Sequence, residues 1–164
     1  MQDLTTLANE VAARLVARGE RIGIVESSIG GLISAALVAV PGASAFFLGG
    51  AVVYTQQSRA GLLGVTPQDL TGLRPSTEPY ARLMAEKLKA RLDADWVLAE
   101  TGASGPTGNR YGDPPGHACI AVCGPVEAVI TVETGGTDRE ANMWAFAHRA
   151  VELLEACLRQ IRCA

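Results

Sequence analysis

The sequence predicts an α/β fold, a layered arrangement of a mixed sheet flanked by helices, from three observations. Helical apolar stripes and short strand-like runs follow one another in the order helix, strand, helix, strand, helices, strand, hairpin, helix. The apolar content, 48% with only 5% aromatic, comes mostly from Ala, Val, Leu and Ile beside 18 glycines, which suits a close-packed sheet under small-residue helices. Two strand runs end in clusters of small hydroxyl and glycine residues, and the carboxyl ends of strands are where such sheets hold ligands. At 164 residues, without internal repeat or linker, the chain reads as one domain over residues 1–164.

Residues 3–18 carry Leu4, Leu7, Val11 and Leu15 on one helical face, and Gly19 stops that helix. Residues 21–26 form a short buried strand. The turn Ser27-Ser28-Ile29-Gly30-Gly31 then leads into a helix over residues 32–40, closed by Pro41 and Gly42. Residues 46–54 are the second strand, in which Gly49-Gly50 mark a bulge or a close approach. Its start, Phe46-Phe47-Leu48, is read as core in preference to an interface. A short helix spans residues 56–63, and after a loop Thr77-Glu78-Pro79 opens a helix to Leu92. Residues 95–100 are the third strand. Residues 101–116 form a long Gly- and Pro-rich loop, a length that goes with function or mobility, with Arg110 and Tyr111 near its tip. Strands over residues 117–123 and 126–133 flank Gly124-Pro125 as a hairpin, and residues 138–161 form the last helix.

The net charge of −3, with no basic run, argues against a nucleic-acid surface, which needs clustered Lys and Arg. The N-terminal stretch mixes charged with apolar residues, unlike a signal peptide or a membrane span, so the expected location is the cytoplasm. Cys119, Cys123, Cys157 and Cys163 show no C-x-x-C pair and no histidine at metal-ligand spacing, so no metal site is expected, and Cys119 and Cys123, four apart on one strand face, read as core.

The exits Glu26-Ser27-Ser28-Ile29-Gly30-Gly31 and Glu100-Thr101-Gly102-Ala103-Ser104-Gly105-Pro106 each offer hydroxyls and unhindered glycine amides behind a carboxylate. Together they suggest one pocket for a small anion, although either alone also reads as a tight turn with a cap. Thr137 reads as the N-cap of the last helix, with Glu140 completing a capping box. That leaves Arg139, a cation where the helix dipole disfavours one, for a bound carboxylate or phosphate, a solvated arginine being the alternative. Ser27 and Ser28 supply candidate nucleophiles. His117, opening a strand, and His148, inside a helix, are poorly placed as bases, and the G-x-S-x-G, G-x-G-x-x-G and P-loop patterns are absent.

The run ESSIGGLISAALVAVPGASAFFLGGAVVYT, followed by ETGASGP and a Pro-Gly before the next strand, resembles the C-terminal domain of the competence/damage-inducible protein CinA over nearly the whole chain. The resemblance implies a mixed α/β fold, a homo-oligomer, and a nicotinamide mononucleotide deamidase that hydrolyses the carboxamide to the acid and ammonia without metal or organic cofactor. The family pattern E-S-C-T-G-G falls on residues 26–31 and puts the nucleophile on Ser27, with Glu26, Ser28, Gly30 and Gly31 around the substrate. Ser44 and Tyr54 carry over as pocket residues, Thr101 with Gly102 and Gly105 as the oxyanion loop, and Arg139 as a substrate contact. Two positions depart from the family. Its lysine is Arg59, which cannot give up its proton and is left to bind phosphate or an oxyanion, with Glu26 or Tyr54 as candidate base. Its threonine is Ile29, which removes a hydroxyl from the turn. The expected function is therefore an amidohydrolase acting on a pyridine nucleotide. The alternative is a catalytically degenerate nucleotide-binding module of the same fold.

Overall fold

The central strands are buried on both faces, and the alternation of their side chains between those faces fixes the layers. In the computed structural model, which describes residues 3–161, β1 (Ile22–Glu26), β2 (Phe47–Val52), β3 (Trp96–Ala103), β4 (His117–Cys123) and β5 (Ala128–Glu133) form one sheet in the order β2-β1-β3-β4-β5. β1 runs parallel to β2 and β3, whereas β4 runs antiparallel to both β3 and β5, so the sheet is mixed as expected. Ile22, Ile24, Trp96, Leu98 and Ile120 pack with α1 (Leu4–Arg18), α2 (Leu32–Val38) and α5 (Arg139–Gln160). The intervening Val25, Val97, Ala99 and Cys123 pack with α4 (Glu78–Leu92) and with Leu63 of α3 (Gln56–Leu63). Each large side chain so buried contributes roughly 1.5–3 kcal/mol, which makes two apolar layers the main source of stability.

Local signals place the elements. Asp3 caps α1 by accepting from Thr6 N, and Gly19 ends it at φ 65°. Gly49 and Gly50 meet both expectations for a strand glycine. The β1–β2 register slips between Ile22↔Phe47 and Gly23↔Gly49, and a Cβ on Gly50 would run into the Ser34 hydroxyl. Phe46 is buried and Phe47 and Leu48 pack against the two apolar layers, as the core reading requires. Cys119, Cys123 and Cys157 are free and buried; Cys163 lies outside the described residues. Among the described residues no helix is long and apolar enough to cross a membrane.

β2 and α2 each end two residues short of expectation, at Val52 and Val38, and three further boundaries differ. β3 continues through Thr101, Gly102 and Ala103, which pair with Cys119, Ala118 and His117, so the loop begins only at Ser104. Gly102 permits this because a Cβ there would sit 2.5 Å from the His117 carbonyl. β5 begins at Ala128, leaving four residues in the hairpin connection. The N-cap of α5 is Asp138, whose carboxylate accepts from Ala141 N at 2.9 Å, so the capping box read onto Thr137 and Glu140 does not form.

Candidate functional site

The turn that follows β1 is held by two buried carboxylates from adjacent strands. Glu26 is fully buried and points at the start of α2, where it accepts from Gly31 N (3.1 Å), Ile33 N (2.9 Å), Ser34 N (3.1 Å) and Ser34 Oγ (2.6 Å). The anion that this helix start was expected to take is thus the protein's own. Glu26 lies behind the turn and does not face a ligand, and the Gly31 amide is already taken. Gly30 and Gly31 serve the turn through their φ values of 75° and 110°.

Glu100, 1% exposed, crosses from β3 to the same turn. Its Oε2 accepts from Ser27 N (2.9 Å) and Ile29 N (3.1 Å), and its Oε1 accepts from the Ser28 hydroxyl. Burial pushes its carboxyl above the ordinary range, against the pull of those three hydrogen bonds, and the neighbouring Glu26 pushes the same way. Ile29 faces inward and packs in the apolar core, so its branched side chain leaves the ligand-facing surface unchanged.

In front of the turn lies a cleft with two lobes. The larger, about 370 Å³, has Ser27, Tyr54, Arg59, Tyr80, Thr101 and Arg110 among its walls, together with Ser76, Asn109 and Tyr111. The smaller, about 240 Å³, is bordered by Ser28, Ser104, Gly105, Thr107 and Arg139. Tyr54, Gly102 and Asn109 belong to both. The two strand exits therefore do meet in one site. Three arginines border it and no carboxylate does, in a chain of net charge −3. A larger depression of about 560 Å³ between the start of α1 and α5 has mainly apolar walls around Trp144 and lies away from the strand ends.

The cleft residues are anchored. Arg59 donates from Nη1 to the Tyr80 hydroxyl at 2.6 Å and lies 5.6 Å from the centre of its ring. Burial raises the Tyr80 phenol against the pull of Arg59, so it is held neutral. Arg139 donates to the Gly105 carbonyl (2.6 Å) and to the Tyr54 hydroxyl (3.0 Å), which explains a cation in the first turn of α5. Thr101 Oγ1 accepts from Ser76 N at 3.2 Å, and Ser76, at φ 59°, is a left-handed non-glycine residue in the cleft wall. His117 is structural: it touches the Glu133 carboxylate through Nδ1 and the Ser76 carbonyl through Nε2 (2.9 Å). Burial alone would lower its pKa, but those two acceptors outweigh burial and raise it. The loop above is pinned by paired Arg74–Asp113 hydrogen bonds of 2.7 and 3.1 Å.

Ser27 is half-buried, and its hydroxyl makes no hydrogen bond among the described residues. Ser44 does not reach the site: it is exposed on a single 3-10 turn, Ala43–Ala45, at the amino end of β2, whereas the cleft lies at the carboxyl ends of β1 and β3. Tyr80 and Glu100 were missed as site residues because Tyr80 sits in the apolar stripe of α4 and Glu100 follows directly on the apolar run of β3. A signal existed for Tyr80, since a buried tyrosine needs a partner for its hydroxyl.

Comparison with known proteins converges on one family. A family model described as the CinA C-terminal domain matches residues 4–158. A CinA-like protein of Gloeobacter violaceus is 43% identical over 125 residues, covering 76% of this chain and 29% of the relative. One from Anaeromyxobacter is 39% identical over 151 residues, covering 91% and 36%. The chain thus spans about a third of the length of these curated relatives. Among solved structures, the competence damage-inducible protein A of Klebsiella pneumoniae superposes with a TM-score of 0.91 at 27% identity, covering 98% of this chain and 100% of that one. The competence/damage inducible protein CihA of Agrobacterium tumefaciens gives 0.86 at 30% identity, covering 98% of each.

Proposed function

The chain belongs to the CinA C-terminal domain family, and from that premise we propose that the cleft is the active site of an amidohydrolase that converts the carboxamide of a pyridine nucleotide to the acid and ammonia. The observation that carries this reading is the charge of the cleft: arginines 59, 110 and 139 border it and no carboxylate does. Such a wall selects a phosphate-bearing ligand, and Tyr54, Tyr80 and Tyr111 offer aromatic faces to a ring attached to it. A serine of the turn after β1 attacks the carboxamide carbon. The resemblance assigns that role to Ser27, with Thr101 and Gly102 at the developing oxyanion and Arg59 and Arg139 on phosphate.

One observation favours a second reading. Arg59, where the family has a lysine, is fixed on Tyr80 and cannot accept a proton, which suits a nucleotide-binding module without hydrolysis.

Ammonia and acid formation from nicotinamide mononucleotide decides between them. Turnover by the wild type, lost when Ser27 and Ser28 are both changed to alanine, is the expected result. Binding of the nucleotide by calorimetry with no turnover, or turnover appearing only in Arg59→Lys, would leave the cleft a receptor.

A further inference from the structure

The resemblance leaves Ser27 without a base. Its hydroxyl has no partner among the described residues, Arg59 cannot take a proton, and Glu26 has all its acceptor positions filled by α2 and Ser34. One residue further along, the arrangement that nucleophilic catalysis needs is complete. The Ser28 hydroxyl donates to Glu100 Oε1, and the other oxygen of Glu100 is fixed by Ser27 N and Ile29 N, so the base is itself oriented. Ser28 is only 4% exposed, but it borders the smaller lobe of the cleft, where Arg139 supplies positive charge.

We propose that Ser28 and Glu100 are the nucleophile and general base of this chain, attacking an acyl carbon presented in the smaller lobe while the anionic remainder of the ligand lies in the larger one. Ser28 Oγ bonds to the carboxamide carbon as its proton passes to Glu100. Collapse of the tetrahedral adduct breaks the C–N bond, and Glu100 returns the proton to the departing ammonia. Water then attacks the acyl-serine, giving a proton to Glu100, which restores it to Ser28 Oγ as the acid leaves. The raised affinity of Glu100 for a proton fits a base that works near neutrality, where a carboxylate left in water is too weak. Only the identity of the acyl group rests on the amidohydrolase reading.

A fluorophosphonate, whose phosphorus takes the serine oxygen as fluoride leaves, tests the pair without any substrate. The expected adduct, located by tandem mass spectrometry, is on Ser28. Glu100→Gln slows labelling by about a hundredfold or more while the fold is retained, because the amide oxygen can still accept from Ser27 N and Ile29 N as its NH2 donates to Ser28. Adduct on Ser27, on neither serine, or on Ser28 at an unchanged rate in Glu100→Gln overturns the proposal. Should Glu100→Gln fail to fold, Ser28→Ala decides alone: loss of the adduct supports the pair, and persistence of the adduct in this turn overturns it. Labelling of Ser28 without ammonia release from nicotinamide mononucleotide keeps the pair and removes the substrate. Ammonia release lost in Ser27→Ala and kept in Ser28→Ala does the reverse.

Discussion

The exits of β1 and β3 begin with the same kind of residues and end in different structures. After Glu26 the chain leaves the sheet at once, through Ser27-Ser28-Ile29, into α2; after Glu100 it stays in the sheet for three more residues. The difference comes from the neighbours. β1 lies between two parallel strands, and its pairing with β2 stops at Glu26↔Val52. β3 has β4 on its far side, antiparallel and paired down to Ala103↔His117, so it keeps a neighbouring strand where β1 has already left the sheet. Both carboxylates nevertheless serve the first exit, Glu26 from behind at the helix start and Glu100 from the side at the turn. One exit carries the candidate nucleophiles, and the other holds them in place.

Removing the two carboxylates separates these roles most sharply. Glu26→Ala leaves three amides and a hydroxyl without their acceptor in a buried place. At ~1–3 kcal/mol for each unsatisfied donor, partly relieved by water, the expected loss is about 3 kcal/mol or more. Urea denaturation measures it; a loss under about 1 kcal/mol would mean that water replaces Glu26 and that the helix start is open to an outside anion. A smaller contrast comes from one glycine in each exit. Gly102→Ala drives a methyl into the β4 backbone, at a cost of about 2–3 kcal/mol, and moves Thr101 with it, so nucleotide affinity falls as well. Gly30→Ala meets only the flexible end of Met143 at 3.2 Å and is expected to cost about 1 kcal/mol for its φ of 75°. Equal costs would contradict the difference drawn between a turn and a paired strand.

What could be read in the sequence, and what could not, divides along the same line. Local signals sufficed for α3, for β4, for the glycine stop at Gly19, and for the bulge at Gly49-Gly50. Each depends on residues close together in the chain. The meeting of the two exits in one cleft was also legible, because parallel strands place their carboxyl ends on one side of a sheet. The extension of β3 was not, since Thr101-Gly102-Ala103 has turn composition and is strand only because β4 pairs with it. Asp138 took the cap from Thr137 by a shift of one residue, which the capping pattern alone does not resolve. Ser44 was placed in the pocket by resemblance, and the topology puts it at the opposite end of β2. The direction of Glu100 depends on contacts 71 to 73 residues away in sequence, and no local pattern encodes it, whereas Glu26 reaches only five to eight residues along the chain, to the start of the next helix.

The smallest effect is the most informative about why Glu100 is there. Burial raises its carboxyl above the ordinary value of 4.5, so over the interval between that value and its folded-state pKa the native chain binds more protons than the unfolded one. Stability then falls as pH rises through the interval, the reverse of a carboxylate whose pKa folding lowers. Glu100→Gln removes this loss while keeping an acceptor for Ser27 N and Ile29 N. The variant is therefore expected to be more stable than the wild type near pH 8, with a difference that shrinks towards pH 4 as Glu100 takes up its proton in both states. Urea midpoints across that range measure the difference. A gain that disappears on acidification shows that the charge at Glu100 costs stability, unlike Glu26, and a group kept at such a cost is one whose charge the site uses. A variant less stable than the wild type at every pH would make Glu100 a second structural cap, with nothing but geometry to contribute to the turn.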